Sequence, residues 1–271
     1  GGFDASGTTM ITKIIAVTAA IYFLDMFIAG REHWLMQEMA SSASDLFRPW
    51  YWWRFLTSGF AHAPDIKHIL YNMVGLFFLG RSVEAVYGQK EILRFYLVAI
   101  VLGSVGQALR AYVADPEGPW IGCYGASGAV TGIIVLFICH FPKQMLLLFF
   151  VIPVPAWVVG ILIIVMNVAG ASGVGDPRVA YDVHLIGAAF ALAYFKFKWN
   201  LGRLLPRNLS SVTKSLKPKP NLRVHDPDEH ASDAEGDALL EKVNQHGIES
   251  LTPRERKTLE DYSRRMRQKY Q

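Results

Sequence analysis

Tyr124-Gly125-Ala126-Ser127-Gly128-Ala129-Val130-Thr131-Gly132 opens an apolar run that continues through Ile133, Val135, Leu136 and Phe137 to Phe141. A run of this kind reads as a helix inside a membrane. A small hydroxyl residue between glycines at the start of such a helix is an unusual choice for packing alone. Helix N-termini present unpaired backbone N–H groups and the positive end of the dipole, which suit a developing oxyanion. Ser127 is therefore the candidate nucleophile.

Working outward, five further apolar blocks approach the ~20 residues that a spanning helix needs. They run from about Met10 to Ala29, Ile66 to Tyr87, Ile92 to Val113, Leu146 to Val168 (with Pro153 and Pro155 inside) and Val179 to Phe197. With the run from Gly125 to Phe141 this predicts an all-α polytopic bundle of six spans. Hydrophobic residues make up 52% of the 271 residues, more than is usual for a soluble domain. The net charge of +4 comes from basic residues crowded near the C-terminus and reads as topology before nucleic-acid binding. Arg81, Lys90, Arg94, Lys143, Lys196, Lys198, Arg203 and Arg207 border one side, whereas Ala114 to Tyr124 carries Asp115 and Glu117 and no Lys or Arg. Both termini are expected to be cytoplasmic. The first connection, with Arg31, Arg48, Arg54 and Lys67, fits imperfectly. Its Trp34, Trp50, Tyr51, Trp52 and Trp53 suggest that it lies in the membrane interface, with Trp53-Arg54 as anchors.

Three domain segments are expected: 1–200, the bundle; 201–236, a basic then acidic linker; and 237–271, a short helical tail. Leu216 to Asn221 reads as linker and Asp226 to Asp237 as a disordered hinge. Helices are expected from about Asp237 to Gln245 and from Thr252-Pro253-Arg254-Glu255, a capping box. Cys123 and Cys139 sit at opposite ends of one helix, roughly 24 Å apart, and cannot bridge. The start, Gly1-Gly2-Phe3-Asp4, does not read as a signal peptide.

A serine needs a base at its own depth. The spans opening at Gly125 and Val179 both start on the outer side, and His184 lies one to two turns into the latter. The span opening at Ile66 starts there too and carries His68 and Asn72 on one face at i and i+4. Three spans thus deliver a hydroxyl, a base and two donors to one level. Gly128 with Gly132, and Gly187 with Ala191, form small-xxx-small pairs that let helices approach closely.

These residues resemble the rhomboid intramembrane serine proteases. The resemblance covers about Trp53 to Phe197. It rests on Trp53-Arg54, His68-x-x-x-Asn72, Gly80-x-x-x-Glu84-x-x-x-Gly88, Gly125-Ala126-Ser127-Gly128 and His184-x-x-Gly187. It implies a Ser127–His184 dyad, and an oxyanion hole from the Ser127 N–H, His68 and Asn72. It also implies hydrolysis of peptide bonds in or near transmembrane segments of membrane-protein substrates, in the lipid bilayer and without cofactor, metal or nucleic acid. Ala191 and Val183 depart from the family's usual glycine and alanine. The bare six-span arrangement resembles bacterial members, so a bacterial plasma membrane is expected.

Other readings are weaker. A second Gly-Ala-Ser-Gly, Gly170 to Gly173, is followed by a loop and offers Ser172 no helix N-terminus. His140 is at the wrong depth, His62 reads as a loop anchor, and Glu84 as structural support. Gly173-Val174-Gly175-Asp176 and Tyr181-Asp182 mimic intramembrane aspartyl proteases, but in reverse order on one segment. Asp182, at i−2 from His184, points to a different helix face and is a poor third triad member. No H-E-x-x-H is present. Gly170 to Asp176 reads as a cap that, with the fifth span, gates substrate entry. A catalytically silent rhomboid-like adaptor or quality-control factor is the alternative function; a transporter is a third, without an evident inverted repeat.

Overall fold

The computed structural model describes residues 8–118, 122–148, 151–176, 179–203 and 227–269. The chain divides into two compact units, residues 1–207 and 208–271. The linker expected at Leu216 to Asn221 and the Gly1-Gly2-Phe3-Asp4 start lie outside the described residues.

In the first unit, α1 (Met10–Leu24) continues as a π-helical stretch to Ala29. Thr9 caps its start, its hydroxyl accepting from the Thr12 N–H at 3.2 Å. The short helices α2 (Trp34–Met39) and α3 (Arg54–Thr57) follow in the first connection. Asp65 caps α4 (Ile66–Gly75), which passes through a π-helical turn into α5 (Arg81–Tyr87). Gly88, at φ 84°, ends that helix and opens α6 (Gln89–Ala114). Next come α7 (Ser127–His140), the strands β1 (Met145–Leu148) and β2 (Ile152–Pro155), then α8 (Ala156–Ala171) and α9 (Tyr181–Lys196).

The expected spans Met10 to Ala29 and Ile66 to Tyr87 are each one long helix. With Gln89–Ala114 they are long and apolar enough to cross a membrane. α7 and α8 are apolar but have only 14 and 16 residues, and α9 has 16. The fifth expected span is corrected. Leu146 to Leu148 and Ile152 to Pro155 are not helical; they lie in paired antiparallel strands, Met145 opposite Pro155 and Leu148 opposite Ile152. Pro153 and Pro155 lack the N–H that a helix interior requires, and each holds its predecessor extended. The helix begins after Pro155, which stands as its extended N-cap residue at φ −67° and ψ 146°.

α7 is apolar all round, and nearly every residue from Gly128 to Phe137 is buried. Such a helix belongs at the centre of a bundle. It packs on α9 and α6, with Phe95, Tyr96, Ile133, Leu136 and Tyr194 in the core. α8 lies outermost: Ala156 is its one buried residue, and Ile161, Val165 and Met166 face outward.

Two buried carboxylates tie ends of this unit together. Glu84 on α5 accepts the free N–H groups of Met10 and Ile11, at 3.1 and 2.8 Å, and so caps α1 from outside. This is the structural role expected for it. Glu91 on α6 accepts from the Tyr194 hydroxyl, the Leu201 and Gly202 N–H groups and Arg94, holding the chain after α9.

The second unit is a helical hairpin, α10 (Pro227–His246) and α11 (Pro253–Lys269). Leu239 and Tyr262 are buried in it, and the Tyr262 hydroxyl donates to Asp237 at 2.7 Å. The capping box is formed: Glu255 accepts from the Thr252 N–H at 2.8 Å, and the Thr252 hydroxyl from the Glu255 N–H at 3.4 Å. The expected hinge from Asp226 to Asp237 is corrected from Pro227 onward, because α10 begins there. Proline at the first helical position and carboxylates in the first turns, as in Pro227-Asp228-Glu229, favour a helix start as strongly as they suggest disorder.

Candidate active site

The first connection folds on itself before it reaches the site. Asp25 accepts from His33 Nδ1–H at 2.8 Å and from the Met36 N–H at 3.0 Å. The Arg54 guanidinium turns inward: it donates to Glu38 at 2.6 Å, lies 3.6 Å from Asp45 and stacks 4.3 Å over the Tyr51 ring. The guanidinium expected to snorkel to the interface is thus held by its own loop. Two carboxylates of its own loop reach it first. Trp50 and Trp52 stay exposed.

This loop then grips the segment leading to α7. Ser41 and Cys123 exchange backbone hydrogen bonds of 3.0 and 2.7 Å, and the Gly125 N–H donates to the Ser58 carbonyl at 2.9 Å. Gly125 has φ 115°, a conformation that side chains strain to adopt. A Cβ there would also lie 2.9 Å from the His68 ring, so its absence lets that ring close over the chain beside Ser127.

Ser127 is the first residue of α7, and its Oγ–H donates to His184 Nε2 at 2.8 Å. The first amides of α7, from Ser127 onward, have no helical acceptor and point to the same end. The closeness depends on bare backbone. A Cβ on Gly187 would sit 2.0 Å from the Gly128 carbonyl oxygen, and one on Gly132 would sit 3.0 Å from that of Gly187. Val183, the larger residue before His184, is accommodated because Gly103 and Gly128 flank it, their would-be Cβ atoms 2.8 and 2.5 Å from its Cγ1. It is buried, as is Ala191.

His62 links the donors. Its Nδ1–H donates to the Phe60 carbonyl, and its Nε2 accepts from Asn72 Nδ2 at 3.3 Å and from the Ala126 N–H at 3.4 Å. This pattern needs neutral imidazole. Burial, and then the adjacent His68, push His62 down to about 4, which keeps it neutral. Asn72 also donates to the His68 carbonyl at 3.0 Å. His68 thus stands beside Ser127, while the Asn72 amide is spent on His62 and the His68 backbone.

The sequence reading missed one participant. Asn167 on α8 receives His184 Nδ1–H on its Oδ1 at 2.7 Å. The available signal was one amide in a helix otherwise free of hydrogen-bonding side chains apart from Trp157. Asp182 is engaged elsewhere, by Arg110 at 2.6 Å. His140 donates to or accepts from the Tyr87 hydroxyl at the far end of α7, and Ser172 donates to the Val168 carbonyl. A cavity of about 220 Å³, lined by Arg110, Gly170, Asp176, Tyr181 and Asp182 among others, opens beside the start of α9. The Tyr181 ring meets the His184 ring edge-on, and its hydroxyl accepts the Asp176 N–H at 3.0 Å, tying down the loop read as a cap. No cluster of three or more His, Cys, Asp or Glu side chains suited to a metal occurs among the described residues.

Residues 49–200 match the family model of a rhomboid domain, and residues 228–265 match that of a family of unknown function. The chain is 37% identical over 147 residues to "RHOMBOID-like protein 12, mitochondrial" of Arabidopsis thaliana, covering 50% of this chain and 43% of that protein. It is 30% identical over 147 residues to "Rhomboid protein 1, mitochondrial" of Saccharomyces cerevisiae, covering 51% and 39%. It is 33% identical over 98 residues to "Rhomboid protease GluP" of Bacillus subtilis, covering 35% and 18%. The chain thus spans less than half the length of these relatives.

Proposed function

The chain belongs to the rhomboid family, and from that premise we propose that it is an intramembrane serine endopeptidase acting on transmembrane segments of other membrane proteins. The observation that carries the reading is the Ser127 Oγ–H···Nε2 His184 hydrogen bond at the start of α7. His184 takes the Ser127 proton as Oγ attacks a peptide carbonyl and returns it to the leaving amine; it then takes a proton from the water that attacks the Ser127 ester and returns that proton to Oγ as the carboxylic acid leaves. The oxyanion faces the first N–H groups of α7, where charge is met by fixed dipoles in a site of low dielectric. His68, whose ring lies over Gly125 beside Ser127, is the side-chain donor proposed for it. Asn72 joins only by exchanging one of its present bonds, and otherwise holds His62 and His68 in place.

A substrate helix hides its carbonyls in its own hydrogen bonds, so cleavage favours small or helix-destabilising residues. Water reaches the dyad from the polar cavity beside Tyr181, and α8 with the loop 170–176 forms the lateral entrance. The chain is an integral membrane protein with several apolar helices. Two relatives are named as mitochondrial and one comes from a bacterium. The mitochondrial names do not fit the expected bacterial plasma membrane.

The test is cleavage of a model single-span substrate by purified, detergent-solubilised protein, beside Ser127→Ala and His184→Ala. Loss of cleavage in both folded variants is expected, together with fluorophosphonate labelling of the parent that Ser127→Ala abolishes. A parent that is neither labelled nor active would instead favour a silent adaptor.

A further inference from the structure

The reaction just proposed is written for two side chains, but His184 is held by a third. α8 (Ala156–Ala171) carries one side-chain amide, Asn167, in a run of aliphatic residues. A polar group at membrane depth is costly unless bonded. Here both ends of the amide are used. Its Nδ2 donates to the Ile163 carbonyl at 2.7 Å, one turn back on the same helix. That bond fixes which way the amide faces, because a carbonyl only accepts. The oxygen, Oδ1, is therefore the atom turned toward His184 Nδ1, 2.7 Å away.

An amide oxygen cannot donate. The bond consequently puts the imidazole hydrogen on Nδ1 and leaves Nε2 with its lone pair facing Ser127 Oγ at 2.8 Å. A neutral imidazole with no partner on Nδ1 exchanges between tautomers and turns about its side-chain bonds, and only one tautomer in one orientation can act as the base. The other nearby acceptor, Asp182, is held by Arg110 at 2.6 Å. The Tyr181 ring steadies the imidazole edge but supplies no acceptor to it.

We propose that Asn167 is a positioning residue for His184, selecting its base-competent tautomer, so that the Ser127–His184 dyad is completed by a third, orienting side chain. The assignment rests on the protease reading of Ser127 and His184, and it adds a form of regulation. The third member rides on the outermost helix, which buries only Ala156 in the bundle. Near its far end the packing is tight: a Cβ on Gly170 would lie 2.5 Å from the Tyr181 ring. The base is in its working form while α8 is docked against α9, and loses its partner when α8 swings away.

The experiment compares Asn167→Leu, close in shape but without an acceptor, with Asn167→Asp, which keeps one. Steady-state cleavage of the single-span substrate, fluorophosphonate labelling and thermal unfolding are measured on all three full-length proteins. Expected for Asn167→Leu is a fall in kcat of about 10- to 100-fold with KM within about twofold, a matching fall in labelling rate and an intact fold. Asn167→Asp should stay within about fivefold of the parent. A purely packing role would give the reverse order, because leucine fits the apolar surroundings and a half-buried carboxylate does not. Parent-like kcat in Asn167→Leu would overturn the assignment while leaving Ser127 and His184 standing. A parent without Ser127-dependent labelling would overturn both. A direct readout covers the case in which Asn167→Leu does not fold. ¹⁵N spectra of histidine-labelled parent and Asn167→Ala, with the His184 signal identified from His184→Ala, should show Nδ1 protonated in the parent and a mixture in Asn167→Ala. An unchanged tautomer would overturn the assignment.

Discussion

Gly187→Ala tests whether the distance between α7 and α9 sets the reactivity of Ser127. The added Cβ would begin 2.0 Å from the Gly128 carbonyl oxygen. A comfortable C···O approach is about 3.3 Å, so the two helices must separate or rotate by roughly 1 Å at this level. Ser127 sits beside Gly128 and His184 one turn before Gly187. Most of that displacement therefore falls on the 2.8 Å hydrogen bond between them, stretching it beyond the range in which a proton is passed directly. Misplacement by 1 Å costs on the order of 10²-fold in rate. Overpacking itself costs typically about 1–3 kcal/mol, so the protein should remain folded while its rate collapses. Cleavage of the single-span substrate, normalised to folded protein by thermal unfolding, reads this out. Gly160→Ala is the control, because its Cβ meets only the Ile138 side chain at 3.3 Å, and it should cleave nearly as the parent does. A folded Gly187→Ala that cleaves within about twofold of the parent would refute the claim that close backbone approach aligns the dyad.

Three other outcomes follow from the same structure. Glu84→Ala leaves the Met10 and Ile11 N–H groups without their carboxylate, so unfolding should become easier by about 1–3 kcal/mol; a thermal midpoint equal to the parent's would show that α1 is capped without it. Val183→Ala opens a void between α6, α7 and α9 and should destabilise by about 1–3 kcal/mol, with Gly103→Ala in the same background recovering part of the loss. In the C-terminal hairpin, hydrogen bonds from Lys242 and then Thr252 hold the Glu255 carboxyl down to about 2. A carboxyl depressed on folding stabilises above its unfolded value of ~4.3 and loses that contribution as pH falls toward its folded one. Helicity of the tail should therefore decline between about pH 4 and pH 2, and Glu255→Gln should flatten that decline.

Much of the site was legible because it is written in topology. Ser127 opens one apolar run, His184 and His68 lie near the same ends of two others, and antiparallel connection brings those ends together. Depth fixes position to about one turn. It does not fix distance; that needed Gly128 against Gly187, where only the backbone geometry shows how close two small residues come. Asn167 escaped because an amide does not titrate and attracts no search for acids and bases, although a lone amide in an aliphatic helix has to be bonded to something. The stretch from Leu146 to Pro155 was misread because its hydropathy is that of a span, while its two prolines act through missing N–H groups that hydropathy does not count. The partners of Arg54 were not legible either: Glu38 and Asp45 lie in its own loop, but nothing periodic announces that they fold onto it.

The anchorage of α8 is lopsided in a way that makes it a lever. Its first turn is fastened through the backbone, with the Ala156 N–H donating to the Gln144 carbonyl at 2.8 Å and the Trp157 N–H to that of Pro142 at 3.1 Å, whereas its far end is held by side-chain contacts such as the Tyr181 ring against Gly170. Asn167 stands eleven residues along, about 16 Å from that fulcrum. A tilt of roughly 5° about the fastened end would carry the amide by about 1.4 Å over this arm, enough to part it from His184. Small angular motions of the whole helix are thus magnified at its tip into the making or breaking of a single hydrogen bond. The thickness and lateral pressure of the surrounding lipid, which act on helix tilt, thereby gain a mechanical route to the chemistry.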